Sequence, residues 1–199
     1  MIDYKQAMHI NKVFLGQFEN ISGQFAISDP CYGVDVWCRG ELSDVKKGMW
    51  NAEAEICDAG EWGKRVVLLV ATHVDYDENA EDDYISKAAE FEVGVDSGQT
   101  GIFDVAHYRD DSIFCSGAVK NERDEKGEVW YGHCCNATCN TANHAGIIPF
   151  GVVSSSGYGD GGYDCTFRIN SNNEIIKVVI TFISEEDEDD GLSGQRANA

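Results

Sequence analysis

Asp29, Asp96, Asp104 and Asp160 have the widest chemical reach of any residues in this chain. Two or three carboxylates brought together can hold a hard cation or share a proton for acid–base work. Each of the four also lies in turn-forming sequence, where an aspartate commonly accepts hydrogen bonds from nearby backbone N–H groups. Ser156-Gly-Tyr-Gly-Asp-Gly-Gly-Tyr163 is the most unusual segment. Its four glycines let the backbone approach a ligand closely, and successive N–H groups in such a loop can form an anion nest. It lacks the Gly-Lys-Ser/Thr ending of a phosphate-binding loop, and no helical pattern follows. The alternative is a conformationally demanding turn capped by Asp160.

Three other clusters invite a chemical reading. His133-Cys-Cys-Asn-Ala-Thr-Cys139 with His144 offers soft ligands. Its intervals fit no recognised zinc pattern, so Cys134, Cys135, Cys139 and His144 are only weak metal candidates and no metal is expected. Asp75-Tyr-Asp-Glu-Asn79 opens like a calcium loop, but Ala80 and Ser86 replace the required Gly and Glu. It reads as a solvated acidic loop over Asp75–Asp83. Ser154, Ser155 and Ser156 lie near the glycine loop, yet no G-x-S-x-G elbow is present and no catalytic triad can be assembled.

These residues need strands to position them. Trp50, Ala52, Ala54 and Ile56 alternate with Asn51, Glu53 and Glu55, which predicts a strand with one wet face. Arg65–His73 is continuously apolar and β-branched, as in a strand buried on both faces. The far end repeats the plan. Tyr163, Cys165, Phe167 and Ile169 alternate, Asn170–Glu174 turns, and Ile175–Ile183 is a second apolar strand. Further strands are expected at 12–18, 24–28, 84–95, 112–119 and 147–154. Helix is scarce. The best segment is Trp130–Cys139, with Trp130, Cys134, Cys135 and Cys139 on one face, and Val105–Arg109 forms at most one more turn.

The chain also repeats itself. Ser22-Gly-Gln-Phe-Ala-Ile-Ser-Asp29 aligns without gaps on Ser97-Gly-Gln-Thr-Gly-Ile-Phe-Asp104, sharing Ser, Gly, Gln, Ile and Asp. Each copy precedes an aromatic-led strand, a turn and an apolar strand, at 50–73 and 163–183. The pattern predicts half-repeats over about 20–75 and 95–183. Glycine supplies the positive φ such a turn needs, and the closing Asp can bond the loop that follows it.

Composition narrows the classes. Lys plus Arg is 15 against Asp plus Glu 35, a net charge of −20 in 199 residues. This argues against direct nucleic-acid binding and against an anionic membrane surface. The longest apolar run, Val66–Ala71, is far too short for a membrane span, and no secretory leader opens the chain. A cytoplasmic protein is expected, with its eight cysteines reduced. Residues 185–199 read as an acidic disordered tail behind one β-rich domain, 1–184.

Val95-Asp-Ser-Gly-Gln-Thr-Gly-Ile-Phe-Asp104 and Ser156–Tyr163, followed by Asn-Glu-Ile-Ile-Lys-Val-Val-Ile-Thr-Phe182, resemble the family called domain of unknown function 4241. Ser28-Asp-Pro-Cys-Tyr32 is similar to a further element of related sequences. The resemblance spans roughly 20–183. It implies a bacterial or viral, intracellular, β-rich domain and brings no activity, cofactor or agreed catalytic residue.

The expected fold is all-β or β-dominated α+β: a sandwich or partly closed barrel with quasi-twofold halves and one short helix. The expected function is non-enzymatic binding, with a basic protein surface or a small molecule as partner. The alternative is a small-ligand or hydrolytic site formed by Asp29, Asp96, Ser97, Gln99, Asp104, Ser156, Tyr158, Asp160 and Tyr163. The cofactor is unknown.

Overall fold

The computed structural model describes residues 10–114 and 126–184. Its strands are β1 (Asn11–Asn20), β2 (Phe25–Ser28), β3 (Gly40–Leu42), β4 (Gly48–Asp58), β5 (Lys64–His73), β6 (Ile85–Ala88), β7 (Val93–Val95), β8 (Gln99–Asp104), β9 (Ala145–Ile148), β10 (Gly151–Ser155), β11 (Gly161–Ile169) and β12 (Ile175–Thr181). The helix α1 spans Glu128–Cys139. One sheet runs β1-β4-β5-β12-β11-β6, with β7 also pairing β11; the other runs β3-β2-β8-β10-β9. Neighbouring strands are antiparallel throughout. Neither sheet closes on itself, so the architecture is an open two-sheet sandwich rather than a barrel.

Alternation within the second sheet explains three layers. Phe25, Ile27, Ile102 and Val152 point at the first sheet, where Trp50, Leu69, Val178 and Ile180 meet them. The intervening Ala26, Phe103 and Val153 point the other way, onto Trp130 and Cys134 of α1 and Tyr108. A strand covered on both faces carries no wet residue, which is why all six residues of β8 are buried. Trp50 joins the sheets: its ring lies 4.9 Å from Phe25, and its Nε1 donates to the Lys46 carbonyl at 3.0 Å.

In each sheet an early strand pairs with a late one: β5 with β12, and β2 with β8, the middle strand of its five. Early strands lie outward on one side and late strands on the other. Beyond β3 the chain crosses between sheets, where Asp44 and Lys46 exchange backbone hydrogen bonds with Ile175.

Several expected elements differ. The strand at 84–95 is two, because β6 and β7 pair separate stretches of β11 and Phe91 turns inward between them against Gly40. The strand at 147–154 is the β9–β10 hairpin, turned at Pro149-Phe150, with Phe150 at φ 62°. Of 112–119, Ser112 and Ile113 belong to a 3-10 turn over Asp111–Ile113, and 115–119 lie outside the described residues. The calcium-like loop includes a 3-10 segment, Glu78–Asp83. The buried face of α1 is Trp130, Cys134 and Thr138, while Cys139 is exposed. A thiol one position too far round the helix points at water. The residues 185–199 read as a tail are also outside the described set.

Candidate functional site

The two Ser-Gly-Gln turns and the two aspartates meet across the central β2–β8 pair. Gly23 and Gly98 both take positive φ, 80° and 69°, at matching places in the turns. Asp104 Oδ2 accepts from the N–H groups of Ile21 (2.7 Å) and Ser22 (2.8 Å) and from Ser22 Oγ (3.0 Å). Asp29 Oδ2 accepts from the N–H groups of Asp96 (2.9 Å) and Ser97 (2.6 Å), and its Oδ1 accepts from Ser97 Oγ (2.7 Å). Each aspartate also accepts from the N–H two residues on, Cys31 for Asp29 and Ala106 for Asp104, both at 2.8 Å. Each carboxylate thus holds the turn that leads into the other aspartate's strand. Both aspartates are fully buried, and each carboxylate is satisfied by four donors.

Asp29 opens a loop of residues 30–39 with no strand or helix of its own. Buried groups brace that loop from below. The Tyr108 hydroxyl bonds with Asp29 O (3.1 Å), Tyr32 O (2.9 Å) and Ser28 Oγ (3.2 Å). Arg109, at φ 56°, donates to the carbonyls of Pro30 (2.8 Å), Cys31 (3.2 Å) and Lys126 (3.2 Å). Cys38 packs on Gly94. Yet the top of the loop exposes Val34 and Trp37, the latter at 94%. Tyr108, Arg109 and Trp37 are the residues that sequence reasoning missed. Only the Asp29-Pro-Cys-Tyr32 motif marked the segment.

Around this loop several groups are held neutral. Burial, then the neighbouring Asp29 carboxylate and the charge of Asp96, pushes the Cys31 thiol up to about 12. Burial, then hydrogen bonds with Cys38 and Asp96, raises the Tyr32 phenol. Burial also lifts Tyr131 to about 12, aided by a hydrogen bond with Cys135. Gln99 links β8 to α1, accepting from Thr138 Oγ1 at 2.6 Å and donating to Cys135 Sγ at 3.5 Å.

The glycine-rich loop lies alongside, because Gly161 pairs with Val95, the residue before Asp96. Ser156 N–H donates to Gly98 O, tying the loop to the second Ser-Gly-Gln turn. Its shape comes from Ser156 Oγ on Gly159 O (2.8 Å) and from Tyr163 OH on Ser156 O (2.9 Å) and Gly159 O (2.6 Å). Asp160 is exposed at the tip and does not supply that cap. Tyr158 is exposed too, edge-on to the exposed Trp62 at 6.1 Å. Asp29, Asp96, Ser97, Gln99, Ser156, Tyr158, Asp160 and Tyr163 therefore cluster toward one end of the sandwich. Asp104 instead holds the turn at Ser22.

Of the other clusters, the thiols of α1 reach that end through Cys135, which accepts from Gln99. Cys134 is buried, and His144, at φ 51°, accepts from Ser155 N–H through its carbonyl. Among the described residues, no group of three or more His, Cys, Asp or Glu side chains is arranged to hold a metal. Asp75 pairs with Lys46 at 2.9 Å, and Asp77 caps Asn79. Ser154 is fully buried, while His73, His107 and His133 pack against Trp50, Phe150 and Phe114. Among the described residues, no helix is long and apolar enough to cross a membrane.

The raised groups make a prediction about alkali. Burial raises Cys31 and Cys165 from 9.0, and Tyr108 from 10.0, each to about 12. In the unfolded chain these groups release protons from about pH 9 upward, while the folded protein keeps them. Stability is therefore complete below pH 9 and falls as pH rises from 9 toward 12. Urea midpoints between pH 7.5 and 11 should decline, and Cys31→Ser should shrink the decline. A flat profile would contradict this account.

Fold and site together define a class: a three-layer protein of two open antiparallel sheets and one helix, its central strands joined by exchanged aspartate clasps. The model of the family described as "Protein of unknown function (DUF4241)" matches residues 18–180, and the chain belongs to that family. No curated protein and no solved structure matches it.

Proposed function

We propose that this protein is a non-enzymatic binding module whose acidic body receives a basic partner at the end carrying the 30–39 loop. The observation behind this reading is Trp37, 94% exposed on a loop that Asp29, Tyr108 and Arg109 brace. Ordering a loop costs backbone entropy, roughly 1–2 kcal/mol per residue. A loop so braced that still presents an indole to water suits a partner that buries that indole. The net charge of −20 favours a partner rich in Lys and Arg, steered by long-range attraction. A hydrolytic site on Asp29 or Asp104 would first have to release backbone N–H groups from a buried carboxylate. The exchanged clasps and the matching strand ranks support an origin of 20–75 and 95–183 by duplication.

The test is selection of a random displayed peptide library on the intact protein. Peptides enriched in Lys and Arg are expected. Trp37→Ala should weaken them about tenfold or more without moving the melting temperature. Recovery of no sequence class, or of peptides indifferent to Trp37, would overturn the proposal.

A further inference from the structure

The sandwich is open along one side. There β3 ends one sheet and β6 ends the other. Between them lies a cleft of about 570 Å³, with Leu42, Phe91, Phe167 and Ile169 on its floor. The Phe91 ring sits against the Gly40 backbone, so close that an added Cβ would fall 2.1 Å from it. At the far end the Asp44–Ile175 backbone bond joins the sheets. Backbone groups of β3 turned away from β2 face no further strand among the described residues. The rim carries three carboxylates, Glu41, Asp44 and Glu90, against one ammonium, Lys87; Arg39 offsets Glu41 at 3.1 Å. The chain enters β3 directly from the loop that carries Trp37.

We propose that the partner's segment binds as an added β-strand along β3, its apolar side chains entering the cleft and its basic ones meeting the rim. The inference rests on the basic-partner reading above and adds the conformation and the site. A free sheet edge supplies main-chain hydrogen bonds to an extended peptide of any sequence, and a flanking cleft selects alternate side chains. In a strand successive side chains point to opposite faces. The fitting sequence therefore alternates apolar and basic residues. The acidic rim selects Lys or Arg over Asp or Glu, with an affinity that falls as salt screens it.

The probe is a synthetic peptide alternating valine and lysine, with a proline-interrupted copy as control, titrated against the full chain. Amide hydrogen exchange is followed residue by residue. The expected result is binding about tenfold tighter than the control and slowed exchange at Gly40–Ser43. The variant Glu90→Lys, at an exposed rim carboxylate, should lose about threefold in affinity while keeping the wild-type melting temperature. Trp37→Ala should weaken binding yet leave the slowed exchange at β3. Binding that depends on Trp37 but slows no β3 amide, and ignores the charge at residue 90, would overturn the strand-addition inference and leave the basic-partner reading standing. No binding of either peptide would overturn both. Slow exchange at β3 without peptide, accompanied by a dimer in sedimentation, would assign the edge to a second copy and overturn the inference.

Discussion

Asp104→Ala lowers the stability of the protein by about 3–5 kcal/mol, and Asp29→Ala does the same. Each substitution removes a buried carboxylate that accepts four hydrogen bonds, three of them from backbone N–H groups in turns. Bonds to charged acceptors are worth about 1.5–3 kcal/mol each. Water replaces part of the loss, because the turns themselves are only partly buried. The amide substitutions sharpen the prediction. Asp104 takes three of its four bonds on Oδ2, so an asparagine that turns its oxygen there loses only Ala106. Asp29 takes the Asp96 and Ser97 N–H groups on Oδ2, so an asparagine with its oxygen there likewise loses one backbone donor, Cys31, while its amide group donates to the Ser97 hydroxyl. Asp104→Asn and Asp29→Asn are therefore both milder than the alanine changes. Urea unfolding at pH 7 with an unchanged slope measures both. Losses as large for the amides as for the alanines would mean that the clasps do not work through these bonds.

Trp130→Ala costs about 3–5 kcal/mol, the usual range for truncating a buried tryptophan. Its ring is 1% exposed and meets Phe103 at 4.8 Å and Tyr108 at 5.1 Å, both edge-on. It is also the main anchor of α1, whose other buried side chains are the small Cys134 and Thr138. The damage should be unevenly spread. Tyr108 loses its packing partner, and Tyr108 bonds the Asp29 and Tyr32 carbonyls at the base of the 30–39 loop. Amides of α1 should exchange faster, and Trp37 should lose its fixed setting. Amides of β5, buried in the other cluster, should slow-exchange as before. A uniform rise in exchange across β5 and α1 alike would show that the two cores unfold as one unit. Peptide binding to Trp130→Ala should fall with the loop even though residue 130 is 1% exposed in the folded protein.

Sequence patterning made much of this architecture legible. Alternation marked β4 and β11 because each keeps one face on the core and the other wetter. The continuous apolar run at 65–73 marked β5, but not its expected burial on both faces: Leu68 and Thr72, on the face turned from the second sheet, are only half-buried. The short breaks were harder. Phe91 reads as strand by type, and only its fit against Gly40, remote in sequence, explains why the chain turns inward there. The three residues of β3 carry too few side chains for any period, and β2 alone makes them a strand. The face of α1 was misread at Cys139 because thiols recur there by type, whereas the helix turns by 3.6 residues and puts Thr138 inside.

The candidate site divides in the same way. Residue types and spacing by themselves determined the two glycine turns, the closing aspartates and the strands between them. They carried the local half of each clasp, since an aspartate reaches the N–H two residues on wherever the chain turns. The other half joins Asp29 to Ser97 and Asp104 to Ser22, 68 and 82 residues apart. Only the antiparallel pairing of β2 with β8 brings those atoms within hydrogen-bonding distance. The exposure of Trp37 was likewise decided by tertiary structure. An apolar side chain faces water when the groups beneath its loop, here Tyr108, Arg109 and Asp29, hold the backbone in a shape that no local pattern records.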